Sequence, residues 1–527
     1  MLNIGFLLRM EFPKQPGVLK FRSFYHIIVC AILFILVVNI RWRILYDFCF
    51  LITDCDQVLL WDAANDMHKG IFHEPCFYGQ SYNPLVEPLF AQPFILLGMP
   101  LRYAMPLVSW IFGFIPYLLF AWAFIRQKKY ISLAFTFAYL LWLPLEFHAI
   151  DSMPRGYVPA CAFASIGIYF AMFTNRNSRF FWFGFLSIIA ITVSQNCVFL
   201  IVPAGIYLWL YNIKNLKFYL HVIAGLLVAL PLPLYIYWFY STHPANIVHL
   251  IEYTFGFDTF KDTISEIQVY FNFLTPDVKN KLLVITLGYV LFAVACFAKR
   301  NVKAGIAILA GLAMLFFSFW FDKVEDGTDS LFFSSVRIFL GVPLALILFC
   351  YWTESSFKIK SYKGTLQFLV LTFLLVAGII CSSERNRYFQ AKLYKPSSDT
   401  DVVSGKRVDS VVGYCNHLKV LCNDNHSSLV ILENLQVAAN YMCPALNYPF
   451  ETLRPSYERR TWDMKQEDTT TRSNFIYFPL YPDSFLMALP SRLDFRQTKD
   501  PKGFLINTHG QKVFAILKEL KVVIRTH

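Results

Sequence analysis

The chain has 527 residues, of which 56% are hydrophobic and 16% charged, against about 45–50% and about 25% in soluble domains. So few charges cannot cover that much apolar surface, which excludes an array of water-soluble domains, a disordered chain and, at 12 cysteines, a disulfide scaffold. The excess of 47 basic over 35 acidic residues, +12 net, gathers in short turns between apolar runs, as an integral membrane protein requires, and no interleaved basic and aromatic groove motif points to nucleic acid.

Residues 1–23 carry Arg9, Lys14, Lys20 and Arg22 and read as a cytoplasmic N-terminus. The apolar run from Phe24 to Ile40 follows with no small-x-small cleavage site, so it reads as a first span rather than a signal peptide. Further runs lie near 104–125, 130–147, 157–173, 180–195, 197–211, 218–239, 282–298, 304–321, 335–352 and 364–381. Every second turn between them is basic: Arg126 to Lys129, Arg176 and Arg179, Lys214 and Lys217, Lys299 to Lys303, and Lys358 to Lys363. That alternation predicts an α-helical polytopic membrane protein, with about eleven transmembrane helices filling residues 24–381 and the C-terminus outside. Arg41 and Arg43 then fall at the height of the outer headgroups. The run from Leu85 to Leu101 holds Glu87, Pro88, Gln92 and Pro93. It is expected to lie in the interface, because a full span there would invert every later turn. Outside the spans remain a first outer loop, 41–103, a second, 241–281, and the tail 382–527. The tail is predicted to be a small α/β domain, with alternating apolar stretches at Ser428 to Leu432 and Lys512 to Val523.

The first outer loop carries the chemistry. After the first span the chain reads Ile52-Thr53-Asp54-Cys55-Asp56-Gln57, followed by Leu59, Leu60, Ala63, Ala64 and Met67 at the spacing of one helix face. Such a helix should rest flat on the membrane with Asp54 and Asp56 at its N-terminal end and Asp62, Asn65, Asp66 and Lys69 turned away. Either acid can cap that helix. Two carboxylates one residue apart repel, and become favourable if a cation, a phosphate-bound metal or a proton-donating substrate sits between them. The sequence leaves a divalent cation such as Mg or Mn open and names no metal ligand set.

The continuation is His73-Glu74-Pro75-Cys76-Phe77-Tyr78-Gly79-Gln80-Ser81-Tyr82, then Pro84, Leu85, Pro88, Ala91, Pro93 and Gly98. With these residues the chain resembles the GT-C glycosyltransferases that use polyprenyl-phosphate sugars, in particular those related to protein O-mannosyltransferases and aminoarabinose transferases. That family has an acidic pair after its first span, a juxtamembrane helix ending in Gly, a Tyr-Gly-Gln-x-Tyr turn and a Pro-rich stretch before the next membrane segment. Matching Gly70 to the helix-ending Gly places Asp56 on the family's catalytic Asp. The acid that usually follows is here Gln57, which leaves open whether Asp54 takes its part. The resemblance is specific from Ile52 to Gly98, and elsewhere rests on span count and the outer tail.

The resemblance implies an inverting transferase with a polyprenyl-phosphate-linked sugar as donor, Asp56 as general base, and a glycan, lipid or protein as acceptor at the outer face of a prokaryotic cell membrane. The residue types suit that chemistry. A carboxylate can take the acceptor's proton, and a departing lipid phosphate needs cationic stabilisation. The candidate cations are Arg337, in a degenerate form of the family's Arg-Tyr-x-x-Pro stretch, and Arg155, in the turn Asp151 to Tyr157; each could instead reach lipid headgroups. Tyr78, Gln80 and Tyr82 are candidates for sugar hydroxyls, and Glu87 must be paired or line a wet cavity. His73, His148, His243 and His249 lack metal-ligand spacing, and Asp322, Glu325, Asp326 and Asp329 read as a solvated acidic loop. Cysteine pairs 415–422 and 55–76 are both open. Two other classes compete: a transporter or flippase, which would bury charge within its spans, and a polymerase or ligase using a diphosphate-linked donor.

Overall fold

The computed structural model describes residues 16–524 except 177, 249–253, 276–277, 322–334, 358–362, 394–405, 434–436, 483–484, 487–492 and 499–502. The acidic loop from Asp322 to Asp329 and His249 therefore lie outside the described residues.

The chain is a multi-pass membrane protein, and a helix forms at each of the eleven apolar runs. Six are long and apolar enough to cross a bilayer alone: Phe24–Cys49, Leu101–Arg126, Leu216–Thr242, Lys281–Ala298, Val336–Ser356 and Thr365–Glu384. The other five runs form helices of 13 to 17 residues. The reason is local. Pro144 separates Tyr130–Trp142 from Leu145–Ile150, and the Ser194 turn separates Arg179–Val193 from Val198–Asn212. Small residues let neighbours approach. A Cβ on Gly184 would collide with the Val222 carbonyl, and one on Gly225 with the Phe181 carbonyl, so these two helices pack backbone to backbone.

The elements around the first loop are α1 (Pro16–Ile44), β1 (Ile52–Thr53), α2 (Cys55–His68), α3 (Val86–Leu96) and α4 (Leu101–Arg126). At 11 residues, α3 is about 17 Å long, half of a hydrocarbon core. Helix α2 does not rest flat with a polar face turned away. Every residue from Gln57 to Asn65 is buried, because α3 covers one side and the tail the other. Arg41 is not at the headgroups either. Its side chain is fully buried, with Nη1 donating to Asp151 Oδ2 at 2.7 Å and a weaker bond to Ser152 Oγ.

The tail is α/β, as the sequence predicts. Its sheet runs β4-β3-β5-β7-β6, built from β3 (Leu429–Leu432), β4 (Glu451–Leu453), β5 (Asn474–Phe478), β6 (Phe495–Gln497) and β7 (Phe504–Asn507). The first three strands are parallel, and β7 and β6 are antiparallel additions. Leu429, Ile431, Phe475 and Tyr477 face a core of the tail's own. Val430, Leu432, Ile476 and Phe478 face the other way and join the large cluster that reaches into the membrane helices. The second apolar stretch is a helix, Val513–Glu519, not a strand: Val513, Phe514, Ile516 and Leu517 are the buried residues, which is helical spacing. Cys415 bonds to Cys443, and Cys55, Cys76 and Cys422 are free. Cys415 and Cys422 share helix Val408–Asp424, where seven residues separate them by about 10 Å, beyond a disulfide's reach.

Candidate active site

Asp54 caps α2: its Oδ1 accepts the Gln57 amide at 2.9 Å. The other oxygen, Oδ2, accepts a short bond from Arg155 Nη2, while Arg155 Nη1 donates to Asp56 Oδ2 at 2.8 Å. The guanidinium thus stands where the sequence asks for a cation, between two carboxylates that would otherwise repel. Burial pushes the Asp54 carboxyl up to about 6 and the Asp56 charge adds to this, against the opposing pull of Arg155. Among the described residues no cluster of three His, Cys, Asp or Glu side chains suits a metal.

Arg155 is fixed by its turn. Glu87, fully buried, accepts the Gly156 amide at 2.5 Å on Oε2 and the Ser109 hydroxyl at 2.7 Å on Oε1. Both of its oxygens are occupied, and it stands behind the turn instead of facing a ligand. Asn196 ties the same turn to the Arg337 segment, donating to the carbonyls of Tyr157 at 3.2 Å and Arg337 at 3.3 Å. Arg337 itself lies in the short 3-10 helix Ser335–Phe339.

These elements enclose a cavity of about 220 Å³ lined by Asp56, Phe77, Gln80, Tyr82, Asn83, Arg155, Tyr157, Asn196, Arg337 and neighbours. Of the residues singled out in the sequence, Asp56, Arg155, Arg337, Gln80 and Tyr82 meet at its wall. Asp54 is not among the lining residues and meets the wall through Arg155. Tyr78 is not at the wall: it is buried, bonds Asp66 Oδ2 at 2.9 Å and packs edge-on against Trp462, so it belongs to the packing of α2. Gln57, directly after Asp56, is fully buried, and among the described residues its side-chain amide makes no hydrogen bond.

Sequence reasoning missed the polar turn Ser194-Gln195-Asn196, which lines one wall. Its signal was three polar residues between two apolar runs. It also missed Arg459 of the tail, whose Nη1 lies 3.1 Å from Asp56 Oδ1. No spacing rule could link that residue to the first loop.

Two solved structures share this architecture. ArnT from Cupriavidus metallidurans in the apo state superposes with a TM-score of 0.54 at 11% identity, covering 90% of this chain and 97% of that one. The same protein bound to undecaprenyl phosphate gives 0.51 at 12%, covering 92% and 98%. The fold is ArnT-like. The likeness extends over nearly the whole chain, tail included. Neither a family model nor a curated relative matches the sequence.

Proposed function

We propose that this ArnT-like chain is a membrane glycosyltransferase that moves a sugar from a polyprenyl-phosphate carrier to an acceptor, with inversion and with Asp56 as general base. The carrying observation is the cavity that sets Asp56 beside Arg155 and Arg337 and beside the polar Gln80 and Tyr82. The fold supports the donor class, since a neighbour of the same architecture binds undecaprenyl phosphate.

On this reading the acceptor's hydroxyl or amine attacks the anomeric carbon as its proton passes to Asp56. The bond from that carbon to the phosphate oxygen breaks, and the lipid phosphate leaves with the electron pair. Arg337 and Arg155 face the charge that develops there. The donor phosphate then competes with Asp56 for Arg155, which loosens a carboxylate otherwise held as the weak base of an ion pair. Two acids beside two arginines need no bound metal for this charge balance. The basic turns support a cytoplasmic N-terminus with the cavity and the 382–527 tail on the other side; on this reading the membrane is a prokaryotic cell membrane and the acceptor a glycan, lipid or protein.

The test supplies membranes holding the full chain with radiolabelled polyprenyl-phosphate sugars. Wild type should transfer label and Asp56→Asn should not, at equal protein level. Equal transfer by both would remove Asp56 as base; no transfer by wild type from any such carrier would remove the donor class.

A further inference from the structure

Asp56 is gripped from two directions. Arg155 holds Oδ2 from the membrane helices, and Arg459 stands 3.1 Å from Oδ1 on the tail's side. Arg459 is buried, and its guanidinium lies over the rings of Tyr457 and Phe77 while Nη2 donates to Tyr457 Oη at 3.3 Å. It does not line the cavity; it reaches Asp56 from behind.

The tail is fastened so that this reach is fixed. Strand β2 (Lys406–Arg407) pairs antiparallel with β1, the residues directly before Asp54, and Val408 N donates to Leu51 O at 2.8 Å. Further along α2, Asn65 and Asn447 exchange side-chain bonds at 3.1 and 3.3 Å. Next to Arg459, Arg460 binds Glu458 Oε1 at 3.0 Å and the Thr452 carbonyl at 2.6 Å, and stands 3.6 Å from Asp62. Across the loop, Trp462 stacks on His73 with ring centres 3.7 Å apart. Gly79 completes the fit. Its φ is +78°, and a Cβ there would lie 3.1 Å from the Arg459 Cβ, so glycine lets the loop pass this close to the tail without strain or a shift of Arg459.

We infer that Arg459 is a positioning residue for Asp56, supplied by the tail to hold the carboxylate in place when Arg155 turns to the donor phosphate. The inference rests on the proposed function for the identity of that phosphate. With one arginine on each oxygen the carboxylate cannot rotate. Once an anion draws Arg155 away, Arg459 keeps Asp56 from following it. The loss of Arg459 therefore acts on the proton-transfer step and leaves donor binding to Arg155 and Arg337.

The experiment compares the full chain in nanodiscs as wild type, Arg459→Gln, Arg459→Lys, Asp56→Asn and the Arg459→Gln/Asp56→Asn pair. Arg459→Gln should lower kcat about tenfold or more, the scale of a misplaced reacting group, with donor KM within about twofold, and Arg459→Lys should recover most of it. An unchanged kcat, or a loss confined to donor KM, overturns the inference. Melting midpoints of the wild type, the two single variants and the pair need no turnover. Losses smaller in the pair than the sum of the singles support coupling, and additive losses overturn it. If wild type transferred no sugar from any polyprenyl-phosphate donor, the functional reading would fall, and the midpoints would still decide whether Arg459 holds Asp56.

Discussion

Arg155 and Arg460 are built into two regions around the same groups: a buried guanidinium and two or more carboxylates. At Arg460 the arrangement is closed. Nε and Nη2 donate to Glu458, Thr452 and Asn440, and Nη1 faces Asp62 and Asp463. At Arg155 the arrangement is open, since Arg155 and its partner Asp56 both line the cavity. Buried charge alone thus does not mark a site. A closed network is a fastening, whose cation has nothing to exchange with; one that opens on a cavity can trade a protein carboxylate for a ligand anion.

The largest effect expected from this contrast is catalytic. Asp56→Asn should cut kcat/KM by about 10²–10⁴, the usual contribution of a general base, alongside the loss of melting midpoint that its ion pairs with Arg155 and Arg459 imply. Arg460→Met should act on stability without that loss of kcat/KM. It strands Glu458, Asp62 and Asp463, and should cost about 3–5 kcal/mol of stability, read by denaturant unfolding. An Arg460→Met protein of wild-type stability would erase the distinction between fastening and site.

A pH effect tests the same loop at smaller scale. Burial pushes the Glu74 carboxyl, which accepts bonds from Gly79 N and Tyr240 Oη, up to about 8 from its ordinary 4.5. Because the folded value is the higher one, its contribution is complete below about pH 4.5 and is lost as pH rises through about 8. Stability should fall by at most about 1.4 kcal/mol per pH unit across that window. Glu74→Gln should flatten the fall; an unchanged profile would place the titration elsewhere. Smallest is Gly79→Ala, where the left-handed backbone costs about 1–2 kcal/mol and the tail must yield at Arg459. Its midpoint should drop by more than that of an alanine at Gly70, whose φ is also positive but which meets nothing within 4 Å.

Much of the architecture was legible because it is local. Apolar runs announce helices in a membrane, and basic turns punctuate them. The cap at Asp54 was legible too, since an acid before a helical pattern is a signal within four residues. The same local reading misjudged α2. Its polar face looked solvated because Asp62 and Asn65 meet their partners, Arg460 and Asn447, only when the tail folds back. Glu87 and Tyr78 are candidates for ligand roles by residue type; that Gly156, Ser109 and Asp66 bind them away from the cavity wall was not legible from the chain.

The sequence by itself determined that the chain lives in a membrane, which apolar runs become its helices, and that an acidic pair stands at the head of the first loop's helix. Those properties depend on neighbours within a turn or two. Only the tertiary structure decided what faces the pair. Arg155 arrives from 99 residues away on a turn held by Glu87 and Asn196, and Arg459 from a tail whose β2 pairs with β1 beside Asp54. Charges act through space, and the distance between a carboxylate and its arginine is set by the fold, not by the interval between them in the chain.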